Sequence, residues 1–162
     1  MKISLNMKYI FGFILLIILT LNAFSQDCTG YHQFHCQYAD YTFFYSRQSK
    51  SALFKRGQSS ELRIITYGGE DYYIAVCAHR KFGNIHLVIK EDSEDSTLIY
   101  DNADYEYNES INFTNEVTRN LIIEVSVPED AAKENKERRC VGVVVQFRKT
   151  DFDLKSSKRT GF

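Results

Sequence analysis

Apolar and polar residues alternate in short runs along most of this chain. Leu62, Ile64 and Thr66 alternate with Arg63, Ile65 and Tyr67. Ile85, Leu87 and Ile89 alternate with His86, Val88 and Lys90. Leu121, Ile123, Val125 and Val127 alternate with Ile122, Glu124 and Ser126. Val141, Val143, Val145 and Phe147 alternate with Cys140, Gly142, Val144 and Gln146. A period of two marks strands that turn one face to a core. Strands are therefore expected over 61–67, 84–90, 119–127 and 140–148. Residues 71–77 are apolar on both faces, with Tyr72, Ile74 and Val76 on one and Tyr73, Ala75 and Cys77 on the other. The Gly68-Gly69 turn just before them predicts a hairpin with 61–67. Shorter strands are expected over 41–45, 52–54, 97–100 and 111–114, and turns at Gly57 and Gly83-Asn84. Pro128 stops the strand before it. The charged run 129–139 has no apolar face and reads as a loop.

No stretch beyond the N-terminus sustains a helical period. Short strands at close spacing predict an all-β fold, an antiparallel β-sandwich or jelly roll over 51–148. An irregular segment over 26–50 precedes it, rich in cysteine and in the rings Tyr31, Phe34, Tyr38, Tyr41, Phe43, Phe44 and Tyr45. A polar, basic tail over 149–162 follows.

The N-terminus is of another kind. Lys2 and Lys8 precede an apolar run that ends near Leu21, shorter than the roughly 20 residues a membrane span needs. Ala23 and Ser25 supply the small residues of a cleavage site. Residues 1–25 read as a secretory signal peptide cut after Ser25. The protein is then exported: periplasmic, at the cell surface or secreted, with no integral membrane segment after cleavage.

That compartment changes the meaning of the cysteines. Cys28, Cys36, Cys77 and Cys140 form an even set, which in an exported chain reads as two disulfides. Three pairings are possible. A local Cys28–Cys36 bond and a long-range Cys77–Cys140 bond are favoured, since Cys77 and Cys140 each lie on the less aliphatic face of their strand.

The runs Ser51-Ala52-Leu53-Phe54, Gly57-Gln58, 72–77, Leu98-Ile99-Tyr100-Asp101-Asn102, Val125-Ser126-Val127-Pro128 and Cys140-Val141-Gly142-Val143 resemble a set of small exported proteins of unknown function from Gram-negative bacteria. More distantly, the order of elements over 51–148 resembles the bacterial pre-peptidase C-terminal (PPC-like) domain. That resemblance implies a jelly-roll β-sandwich of the kind appended to secreted enzymes, some of whose relatives bind calcium or collagen. This chain departs from the pattern in standing alone, so no site residues are carried over.

Candidate chemistry is sparse. Cys28, His32, His35 and Cys36 are a set zinc accepts, but the spacing is unlike paired Cys-x-x-Cys ligands and a disulfide claims the same sulfurs. Asp92, Glu94, Asp95, Asp101, Asn102 and Asp104 cluster in sequence as weak calcium candidates without an EF-hand string. No cofactor is otherwise implied. Neither Gly-x-Ser-x-Gly nor His-Glu-x-x-His occurs, and His79 and His86 merely bracket a turn. No catalytic residue is nominated. A formal net charge of −1, without a phosphate-binding glycine loop, argues against nucleic acid. The expectation is a non-catalytic binding module for a protein, peptide or glycan, with Tyr31, Tyr38, Tyr105 and Tyr107 as candidate contacts. A structural subunit of a cell-surface assembly is the alternative, and an unrecognised secreted enzyme the third.

Overall fold

The computed structural model describes residues 27–129 and 137–150. The expected signal peptide, residue 26, residues 130–136 of the charged run and the expected tail from 151 onward lie outside them. Among the described residues nine strands form two antiparallel sheets packed face to face. The first sheet holds β1 (Phe44–Tyr45) and β2 (Lys50–Phe54), both paired to β9 (Arg139–Lys149), then β4 (Glu70–Ala78) and β7 (Ser110–Asn115). The second runs β3 (Ser59–Thr66), β8 (Arg119–Ser126), β5 (His86–Glu91) and β6 (Leu98–Asp101). The all-β sandwich expected from the alternation is the fold.

The alternating faces meet as read. Leu87, Ile89, Leu121 and Ile123 of the second sheet pack on Tyr72, Ile74, Val76, Val143 and Val145 of the first. Burying aliphatic side chains at about 25 cal/mol per Å² is the main term holding the sheets together. Tyr72 is buried with its hydroxyl satisfied, donating to Glu70 at 2.7 Å and accepting from the Tyr67 N–H at 2.8 Å. Burial first, and Glu70 next, push its ionisation far above the usual tyrosine value.

The hairpin expected across Gly68-Gly69 does not form. β3 pairs with β8, while β4 pairs with β7 and β9. Strands joined in a hairpin would show their apolar faces to the same side. In this fold the apolar faces of β3 and β4 oppose each other across the core, so Gly68-Gly69 is the corner between sheets. A side chain at Gly68 would meet the Glu116 carbonyl at 2.8 Å, because the β7–β8 corner packs directly against it.

All four cysteines are in disulfides, but not in the favoured pairing. Cys28 bonds Cys140, and Cys36 bonds Cys77. The register explains why. Cys77 stands opposite Gly142, which leaves Cys140 on the diagonal of the same sheet face. Diagonal neighbours lie about 7–8 Å apart, beyond the usual reach of a disulfide. Each sulfur instead takes a partner from the N-terminal segment laid over that face. The segment also contains a helix that the pattern did not reveal, α1 (Tyr31–His35). It is one turn and a half long, too short for a helical period to show.

Candidate functional site

The N-terminal segment covers the outer face of the first sheet, where β4 and β9 carry Ala75, Cys77, Gly142, Val144 and Gln146. Gly142 leaves the hollow into which α1 settles. A Cβ at Gly142 would lie 2.8 Å from both Cα and Cβ of His32 and 3.0 Å from the Cys77 sulfur. Cys36, Cys77, Val144 and Tyr31 make a small second core beneath the helix.

His32 locks the helix in place. It is only 6 % exposed. Its backbone N–H donates to Ser51 Oγ at 2.8 Å, its Nδ1 lies 2.6 Å from the same oxygen, and its Nε2 lies 2.7 Å from Tyr45 Oη. Both ring nitrogens are thus used in docking, and the Ser51–His32 contact has its hydroxyl shared with a backbone amide. Desolvation first, and the nearby Lys50 charge second, hold the ring below its ordinary pKa. A histidine kept neutral in the fold binds fewer protons than in the unfolded chain once the pH drops below about 6.5. Its contribution is complete above that pH and is lost as pH falls beneath it. We expect the urea midpoint to decline from pH 7 to pH 5, and His32→Gln to flatten that decline. An unchanged slope in the variant would show that other groups set it.

Further along, the segment is held by polar contacts. Gln146 is buried and accepts the Ala39 N–H at 2.8 Å. Arg148 stacks 4.5 Å over the Phe43 ring, donates to Thr42 Oγ1 at 2.8 Å and pairs with Asp71 at 3.1 Å. Burial works against the Asp71 charge, but bonds from Thr114, Thr150 and Arg148 outweigh it and hold the carboxyl below its usual value. With its backbone fixed in this way, the segment still turns large rings to water. Phe34 is 82 % exposed, Tyr41 98 % and Phe44 67 %, with Tyr38 and Tyr45 exposed as well. Tyr31 is half-buried and stacked on His35 at 4.2 Å.

Tyr105 and Tyr107 sit elsewhere, on the turn after β6. Tyr105 stacks on Tyr100 at 5.3 Å, and Tyr107 meets His86 edge-on at 6.2 Å. Fully buried Asn102 builds this turn. Its Oδ1 accepts the Leu87 N–H at 2.9 Å, and its Nδ2 donates to the carbonyls of Ile85 and Asn108 at 2.9 and 3.1 Å. The four tyrosines therefore divide between two separate surfaces.

The acidic residues do not converge. Asp92 pairs with Arg63 at 3.3 Å, and Asp101 with His86 at 2.7 Å. Burial opposes the Asp101 charge, but the Ala103 N–H and His86 outweigh it and keep its pKa low. Asp95 and Asp104 are exposed. Among the described residues no three His, Cys, Asp or Glu side chains are placed to hold a metal ion. His79 caps the turn Arg80–Phe82, its Nδ1 accepting the Lys81 N–H at 3.2 Å. No helix of the described residues is long and apolar enough to cross a membrane.

No family model and no curated protein matches this chain. Among solved structures it is similar to PliG of Aeromonas hydrophila, a periplasmic inhibitor of g-type lysozyme. The two share 10 % identity over 69 % of this chain and 92 % of that one, with a TM-score of 0.47.

The aromatic run of the segment is plain in the sequence, but not which of its rings stay in water. That depends on the face by which α1 docks, and docking is set by Gly142 and the two distant disulfide partners. The one local signal was glycine in an otherwise valine-rich strand, where close backbone approach is a usual cause.

Proposed function

We propose that this is an exported, non-catalytic module that binds a macromolecular partner through its N-terminal aromatic segment. The observation that carries the reading is the combination of rigid support and exposure. Two disulfides, His32 and the Arg148 network immobilise the segment, yet Phe34, Tyr41 and Phe44 remain largely in water. A segment serving only to cover the sheet would turn such rings inward. Rings held rigid beforehand lose little entropy on binding, which is why aromatics dominate recognition surfaces. The partner class is protein, peptide or glycan, since flat aromatic surfaces suit all three.

The test is capture from the envelope and medium fractions of the source cells. The triple variant Phe34→Ser, Tyr41→Ser, Phe44→Ser is expected to keep the wild-type melting temperature within a few degrees and to lose the captured partner. A matched Tyr105→Ser, Tyr107→Ser variant is expected to retain it. Equal capture by both variants would place the binding surface elsewhere. A second reading, a subunit of a larger assembly, is favoured by the eight-residue edge strand β3, which among the described residues pairs on one side only.

A further inference from the structure

The open edge of β3 has a definite chemical pattern. On its inner side the Val127 N–H donates to the Gln58 carbonyl at 2.9 Å, continuing the ladder with β8. On its outer side the Ile65 N–H donates to Gln48 Oε1 at 2.7 Å, and Gln48 Nε2 donates to the Ile65 carbonyl at 3.0 Å. Peptide groups alternate in direction along an edge strand, with both groups of one residue pointing the same way. Gln58, Ser60, Leu62 and Ile64 therefore face β8, and Glu61, Arg63 and Ile65 face away from it. A side-chain amide already satisfies Ile65. Glu61 and Arg63 are left as consecutive outward-facing residues with no strand of the described residues beside them.

Their side chains are of opposite charge and exposed on the outer face of the second sheet. Within the chain Glu61 reaches Lys90 at 3.4 Å and Arg63 reaches Asp92 at 3.3 Å. Leu62, between them, points inward. It lines an apolar cleft of about 280 Å³ with Ala52, Phe54, Val125 and Val141, open between the edges of β2 and β3.

We propose that β3 pairs antiparallel with β3 of a second copy of this chain, about a two-fold axis passing through Leu62. That register sets Glu61 opposite the partner's Arg63, and symmetry sets Arg63 opposite the partner's Glu61. Both pairs fall at hydrogen-bonded positions, where each residue exchanges N–H and C=O with the one it faces. Leu62 meets the partner's Leu62 at the intervening, closer position, over the mouth of the cleft. Sliding the pairing by one step centres the axis on Glu61 or on Arg63 and puts a like charge against itself. Opposite charges across strands stabilise a pair and like charges oppose it, so the edge selects one register. Gln48 ends the ladder at Ile65, which keeps the interface short. Its association is accordingly weak, concentration-dependent and sensitive to salt.

The experiment is sedimentation equilibrium of the signal-free protein from low micromolar to near-millimolar concentration. Wild type is expected to shift from monomer toward dimer mass, and to shift back at high salt. R63E places glutamate opposite glutamate in both pairs and is expected to weaken dimerisation at least tenfold. E61R/R63E restores opposite charges and is expected to recover it. Should R63E fail to fold, as judged by its melting curve, E61R sets arginine against arginine and makes the same test. A wild type that stays monomeric throughout would overturn the proposal, as would be seen if this edge received a strand from a different polypeptide. Dimerisation of R63E equal to wild type would overturn it too.

Discussion

Replacing Cys28 and Cys140 with serine is expected to lower the free energy of unfolding by about 5 kcal/mol, the chain-entropy value for a loop of this length. The bond spans 112 residues, nearly the whole described domain. Removing Cys36–Cys77, which spans 41 residues, is expected to cost about 4 kcal/mol on the same basis. Either loss is a large share of the roughly 5–15 kcal/mol that holds a typical domain folded. Both figures act through the unfolded chain, which the cross-link prevents from expanding. Equilibrium urea unfolding of the oxidised proteins measures them. The same variants test the pairing. C28S/C140S leaves one intact disulfide and no free thiol. C28S/C36S leaves Cys77 and Cys140 both without a partner, on a diagonal too long to close, and should titrate two thiols after denaturation. Absence of thiols in that variant would mean that Cys77 and Cys140 can bond after all.

Gly142→Ala is the second large effect, and it acts on the folded state. Gly142 lies in an ordinary strand, so alanine restricts the unfolded chain and would by itself add about 0.4–1 kcal/mol of stability. Against this stands a Cβ placed 2.8 Å from the backbone and Cβ of His32 and 3.0 Å from the Cys77 sulfur. No flexible side-chain end can swing away there. The helix itself would have to rise, and a disulfide on each side restrains it. Overpacking of this kind costs about 1–3 kcal/mol, so the net change is destabilising. Gly142→Val should go further and lift α1 off the sheet, breaking the His32 bonds to Ser51 and Tyr45. Thermal melting gives the loss for alanine. Hydrogen exchange at His32 in the valine variant reports the undocking, and protection equal to wild type there would contradict it.

The two expected results mark how far the sequence could be read. The core faces of β3, β5, β8 and β9 were legible because alternation is a local property, set by the geometry of an extended backbone. The outer face of β4 was recognisable as less aliphatic, and so was that of β9. What covers those faces was not, because Tyr31–His35 is too short to announce itself as a helix. The edge pattern of β3 was equally hidden. Gln48 reaches Ile65 only because the chain from β1 to β2 bends that way in space.

The aromatic segment follows the same division. Its composition made it a candidate surface, and the structure separated half-buried Tyr31 from exposed Phe34, Tyr41 and Phe44. By itself the sequence determined the strands, their inward faces and the use of all four cysteines in a β-rich chain. Strands and faces depend on neighbours two residues away, and the cysteines on an even count alone. Only the tertiary structure decided that β3 and β4 lie in different sheets, that Cys28 finds Cys140 and Cys36 finds Cys77, and that α1 rests on Gly142. Those outcomes depend on which distant strands lie side by side and in what register, and a single residue's displacement would turn each of those faces over.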